Sequence, residues 1–362
     1  MRRPRSTGAL ALASGLLALA LAAPAVAATP RIHAAAPATS PGTTTDDPTT
    51  PLDRPEIGPG TSFVDVREKL DGYADPDWYA ANVPVVDLPD ADAEAVYYYR
   101  WRVLKEHLRY TEPGTGWVLT EFLDCCGYAA PYQAINAAAG HQLAEGRWLR
   151  DQRYLDDYED YWLTGPGQIE PAQNPEAADW AHQYSFWAVT AIVERAKVTG
   201  NLDRLRSLQP ELETFVEDWA YQFDADLGLY WQTPEYDAKE SSPASYVTDR
   251  DYAGRHTFRP SINAYLYGDM LALAEVATLN GDEATATEYR DRAAALREAV
   301  DTSLWDDERD FFYDVVDWEN PDRERLRDRL DVGFVPWKFG LASPEQAVAL
   351  DQLLDPQGFA AP

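Results

Sequence analysis

The chain is 362 residues long, 45% hydrophobic and 12% aromatic, with a formal net charge of −30. Charge this negative repels nucleic acid phosphates and anionic membrane surfaces, so neither is expected as a partner. With only two cysteines and no accompanying cluster of ligands at metal spacing, a disulfide-stapled scaffold, a metal centre and a cofactor are not expected either.

In chain order, Arg2, Arg3 and Arg5 precede an apolar run from Ala9 to Leu21 and the small-x-small triplet Ala25-Val26-Ala27. That order predicts a secretory signal peptide over residues 1–27 and an exported protein. The run is too short for a membrane span. Residues 28–60 are rich in Ala, Pro, Thr and Asp without periodicity, which predicts a disordered linker. One folded domain is expected over residues 61–362, working as a monomer.

Helices are predicted over residues 92–110, 131–149, 151–163, 180–199, 203–223, 261–280, 283–304 and 344–354. Residues 261–280 are apolar almost all round and stop at Gly281, as an inner helix would. Residues 283–304 carry one apolar stripe: Ala286, Tyr289, Ala293, Leu296, Val300 and Leu304. Short connections at 199–201 and 280–282 make neighbours antiparallel, whereas 111–130, 164–179 and 224–260 are long. The alternation predicts an all-α ring of hairpins with short turns on one face and functional loops on the other.

The adjacent Cys125 and Cys126 are read as two small buried thiols. Asp156, Asp157 and Asp160 match the DDxxD pattern of diphosphate-binding cyclases, but no second metal motif follows, so a solvated helix face is expected. Twelve tryptophans and twenty-one tyrosines, among them Trp117, Trp148, Trp162, Trp180, Trp187 and Trp231, suit a cleft that stacks sugar rings. The loop "GLYWQTPEYDAKESSPAS" (228–245) places Glu235, Asp237 and Glu240 beside Tyr230, Trp231 and Tyr236. Like charge and apolar surroundings there would raise a carboxyl pKa, as a proton donor requires, while Lys239 opposes it.

The stretch from Arg259 to Val315, with Tyr265-Leu-Tyr267-Gly268-Asp269, Gly281-Asp282, Leu304-Trp305-Asp306 and "FFYDV", closely resembles (α/α)6-barrel glycoside hydrolases. The relevant members are the trehalase-like and family-63-like enzymes, including the mannosylglycerate-hydrolase-like group. The upstream stretch "TEFLDCCGYAAPYQAINAAAGHQLAEGRWLRDQRYLDDY" is similar to their sugar-facing loop and helix pair. The resemblance implies an (α/α)6 toroid, a carbohydrate substrate and inverting hydrolysis, with two carboxyl groups about 6.5–9.5 Å apart. It implies Glu240 as general acid and Asp237 as the next candidate. Ala238 replaces the family's glycine, Lys239 its aromatic, and Glu its Asp. Substrate contacts implied by similar positions are Arg100, Trp117, Glu121, His141, Arg147, Trp148, Tyr184, Trp231, Arg259, Asn263 and Tyr267.

About eight helices are read where six hairpins need twelve, so the toroid is expected to be truncated at the C-terminus and its base missing. A non-catalytic carbohydrate-binding fragment or pseudoenzyme, and a polysaccharide lyase on a similar toroid, are the competing readings.

Overall fold

The computed structural model describes residues 48–49, 64–123, 125, 129, 131–168 and 184–360. The signal segment 1–27, Trp180, Cys126 and all of the linker except Pro48 and Thr49 lie outside the described residues. Pro48 belongs to the fold, since its carbonyl accepts a hydrogen bond from Trp117 Nε1 at 3.4 Å.

The helices are α1 Val66–Lys69, α2 Pro76–Asn82, α3 Ala91–His107, α4 Asn136–Gly146, α5 Arg153–Leu163 and α6 Ala188–Thr199. They continue with α7 Leu202–Ser207, α8 Gln209–Glu217, α9 Pro243–Tyr246, α10 Pro260–Asn280, α11 Glu283–Ser303 and α12 Val335–Lys338. Short strands join them: β1 Leu108–Tyr110 pairs antiparallel with β2 Trp117–Leu119. A second sheet runs β3 Phe223–Asp224, β4 Leu229–Gln232, β5 Thr257–Phe258, β8 Val315–Val316, and a third pairs β6 Trp305–Asp306 with β7 Phe311–Phe312.

α4, α6 and α10 pack side by side as inner helices. α5, α8 and α11 follow them in the chain and close three hairpins. α10 buries residues on every side, from Pro260 and Ile262 through Leu266, Met270 and Leu273 to Ala277, because both flanks and its partner cover it. The 199–201 and 280–282 turns use Gly200 at φ +72° and Gly281 at φ +76°, a left-handed conformation that ends each inner helix without a Cβ penalty. Asp269 of α10 ties the inner helices together: its Oδ1 accepts from Thr190 N at 2.8 Å and Thr190 Oγ1 at 2.7 Å, satisfying a first-turn donor of α6. Burial pushes its carboxyl up to about 7.

The Asp156–Asp160 motif is solvated only in part: Asp160 is exposed, whereas Asp156 and Asp157 are half-buried. Arg195, buried on α6, bonds Glu159 Oε1 at 2.7 Å and Asp156 Oδ1 at 2.8 Å, and Arg204 bonds Asp160 Oδ1 at 2.8 Å. Asp157 accepts from Trp117 N at 3.0 Å. Four acids on α5 are thereby engaged: Asp156 and Glu159 with α6, Asp160 with α7 and Asp157 with β2.

Three sequence expectations are corrected here. The 203–223 helix is broken into α7, α8 and a 3-10 turn, with Pro210 at the start of α8, where a missing N–H costs nothing. The 344–354 helix is a 3-10 run, Glu345–Leu354. Cys125 is exposed and disulfide-bonded rather than a buried thiol. No helix among the described residues is long and apolar enough to cross a membrane.

Candidate active site

The three inner helices present their N-termini at one end, where described residues of the long connections dock against them. Asn136, first residue of α4, exchanges hydrogen bonds with Tyr184, its Nδ2 donating to the carbonyl at 2.6 Å and its Oδ1 accepting the amide at 3.2 Å. Ser185 N donates to Tyr236 O at 2.8 Å, docking the 235–241 turn beside the start of α6. Ser261 Oγ, in the first turn of α10, donates to Asp237 Oδ2. Glu121, Tyr184, Tyr236, Asp237 and Glu240 therefore come from distant loops to one end of the bundle.

Within this cluster the carboxyls differ in setting. Glu240 is exposed, rather than enclosed by Trp231 and Tyr236 as the sequence suggested, because Ala238 at φ +52° and Ser241 at φ +63° turn the chain outward around it. Burial pushes the Tyr184 hydroxyl above its ordinary value, with Glu240 and then Glu235 adding to the effect. Tyr184 meets Tyr236 edge-on at 5.6 Å between ring centroids. Glu121 Oε2 is buried with no hydrogen-bond partner, and burial pushes its carboxyl up.

Asp237 lies on the inner side of the same turn with its side chain only 2% exposed, 3.5 Å from Arg259 Nη1. Arg259 is fully buried; its Nη2 lies 3.0 Å from Asp314 Oδ2. Burial pushes the Asp314 carboxyl up to about 6, with Arg259 opposing the shift. Asp237 is thus enclosed beside Arg259, without the access that proton donation to a substrate needs.

The implied substrate contacts differ in what they touch. Arg259 has no exposed surface. Asn263 is fully buried, clipping Tyr230 N and O at 2.8 Å each and the Arg259 carbonyl at 2.8 Å. Trp117 packs edge-on against Tyr154 at 4.8 Å and Tyr110 at 5.5 Å. Tyr267 is buried on α10. Arg100 forms a two-pronged pair with Glu145 at 2.7 Å. Trp148 follows the C-terminus of α4, about 16 Å along the helix from the Asn136 end.

Trp231 stacks one face on His256 at 3.6 Å, which leaves that face unavailable to a sugar. His141 lies within α4 and Arg147 caps its C-terminus. His141 is edge-on to Trp187, and Arg147 lines a groove of about 570 Å³ with Trp187, Lys338 and Phe339. Lys338 Nζ sits 3.5 Å over the Trp187 ring, and burial, then Arg147, push it down to about 8.

Asp314 and Tyr265 were missed. Tyr265 is one turn after Ser261, and the Asp237 charge adds to the upward push that burial gives its hydroxyl. The four-residue spacing from Ser261 was the available signal. A lone acid in "FFYDV" offered none. No group of residues that could hold a metal ion is found among the described residues.

Residues 131–362 match the family of the mannosylglycerate hydrolase MGH1-like glycoside hydrolase domain. A solved structure described as a sialidase is 32% identical, with a TM-score of 0.68, over 79% of this chain and 25% of its own. A GH78 rhamnosidase of Bacillus sp. GL1 is 15% identical, with a TM-score of 0.51, over 75% of this chain and 27% of its own. A rhamnosidase from Klebsiella oxytoca is 12% identical, with a TM-score of 0.51, over 75% of this chain and 48% of its own. The chain spans about a quarter of the length of the first two. At such identities the two rhamnosidases speak to the fold alone: the hairpins belong to an (α/α)6 toroid.

Proposed function

Because the chain belongs to the MGH1-like glycoside hydrolase family, we propose that it serves an exported glycosidase and that Glu240 is the proton donor. One observation carries the assignment. Of the three carboxyls in the 235–241 turn, Asp237 is sealed against Arg259 and Ser261 and Glu235 is half-buried, while Glu240 is exposed and open to an arriving sugar. In this reading a glycan enters at the N-terminal end of α4, α6 and α10. Glu240 protonates the departing oxygen, and Tyr184, which senses its charge, hydrogen-bonds the sugar beside it.

The reaction proceeds with inversion, water entering opposite the leaving oxygen. No carboxylate of the described residues is assigned the base's part. Export rests on the charged, apolar and small-residue order of residues 1–27.

Glu240→Gln tests the assignment. Turnover of a glycoside should fall while calorimetric affinity for the same sugar stays within about two-fold. Proton NMR of the first-formed product should show the anomer opposite to the substrate's. Equal turnover in the variant and the parent would remove Glu240 from the chemistry. Sugar binding without turnover in the parent would favour a carbohydrate-binding role.

A further inference from the structure

We propose that Asp314 is a positioning residue for Glu240, acting through Arg259 and Asp237. The inference rests on Glu240 being the acid and extends it to a residue more than seventy positions away.

The 235–241 turn cannot hold its shape by local preference. Ala238 and Ser241 both adopt left-handed φ, at +52° and +63°, a region that costs a non-glycine residue on the order of 1 kcal/mol. Such a turn persists only where its surroundings over-determine it. Backbone bonds supply part of this: Lys239 N donates to Pro234 O and Ser241 N to Tyr252 O, each at 2.9 Å. Lys239 Nζ reaches Asp331 at 2.8 Å on the outer side. On the inner side the only buried side chain between 235 and 241 is Asp237, and the rest depends on what holds it.

Asp237 is held by the Ser261 hydroxyl and by the Arg259 guanidinium. Arg259 in turn has no exposed surface and needs a fixed orientation. Asp314 provides it, accepting from Nε at 3.4 Å and facing Nη2 at 3.0 Å. Arg259 sits between β5 and α10, and Asp314 lies immediately before β8, the strand that pairs with β5, with Phe258 opposite Val315. The sheet thus sets the spacing of Arg259 and Asp314, the ion pair sets Asp237, and Asp237 sets where the chain points when it reaches Glu240. Removing the charge of Asp314 frees the guanidinium to rotate, and the turn loses its inner anchor.

The test uses the full chain with Asp314→Asn, which keeps the shape and one acceptor but not the charge, and Asp314→Ala as the larger change. Hydrogen exchange is read peptide by peptide, so no substrate is needed. In Asp314→Asn the amides of Lys239 and Ser241 should exchange at least about ten-fold faster, while the α10 and α11 amides keep the parent's protection. Unchanged exchange in 235–241 overturns the proposal, and so does uniform acceleration throughout, which would mark a merely structural residue.

The kinetic arm uses phenyl and 2,4-dinitrophenyl glycosides. The dinitrophenolate leaves without a proton, so Asp314→Asn should lower kcat for the phenyl substrate about ten-fold or more and spare the other. If Glu240→Gln shows that pattern and Asp314→Asn does not, the positioning role falls while the acid stands. If neither shows it, the acid assignment falls first.

Discussion

Asp269 gives the most calculable test of how the inner helices are held. Its carboxyl is fully buried, accepts two hydrogen bonds from Thr190 through Oδ1, and has no partner for Oδ2. Burial pushes it up from an ordinary 3.8 to about 7. A carboxyl that binds its proton more tightly when folded costs no stability below the unfolded value. The cost then grows by about 1.4 kcal/mol per pH unit and levels off above the folded value. Asp269→Asn keeps an oxygen for Thr190, places the amide nitrogen where an oxygen already lacks a partner, and never ionises. Relative to the parent, the variant should gain about 2.5 kcal/mol of unfolding free energy between pH 5 and pH 8. Urea denaturation of both proteins at unit pH intervals measures this, since carboxyls elsewhere contribute equally and cancel. A difference that stays flat across that range, or that falls as pH rises, refutes the reasoning.

Three further outcomes follow from single contacts. Arg195→Met leaves Glu159, only 2% exposed, with Arg204 Nε at 3.2 Å as its remaining cation, and should cost about 3–5 kcal/mol in urea denaturation. Gly140→Ala places a Cβ 2.4 Å from Trp187 Cε2, so α4 and α6 must separate; a loss of about 1–3 kcal/mol is expected by thermal melting. Trp148→Ala, at the far end of α4, should leave kcat and KM within about two-fold of the parent, and a ten-fold rise in KM would move the sugar to that end.

The long inner elements could be read in advance because their signal is long. α10 and α11 emerge within a residue of their expected limits, as twenty residues of periodicity and the Gly281 stop act together. α7 and α8 were read as one helix because the apolar period runs on through Pro210, although the proline marks where the second begins. The sheet could not be foreseen: strands of two to four residues show no alternation, and Phe258 finds Val315 across the whole α10–α11 hairpin.

The site follows the same division. The acidic turn announced itself by composition, whereas the fate of each polar side chain depended on tertiary neighbours. Arg259 and Asn263 flank the start of an apolar helix, a place from which a side chain can enter a cavity or satisfy the backbone. They do the latter because Asp237, Asp314 and Tyr230 lie within reach. The pairing of Arg259 with Asp314 spans fifty-five residues and leaves no local trace.

The central claim is that Glu240 delivers a proton to the departing oxygen. Its most direct measurement is the dependence of kcat on leaving-group acidity across a series of aryl glycosides, for the parent and Glu240→Gln. A shallow slope in the parent and a steep one in the variant is expected, with the loss reaching about 10²–10⁴-fold for the least acidic phenol and vanishing for the most acidic. Parallel slopes, or a uniform loss across the series, would contradict it.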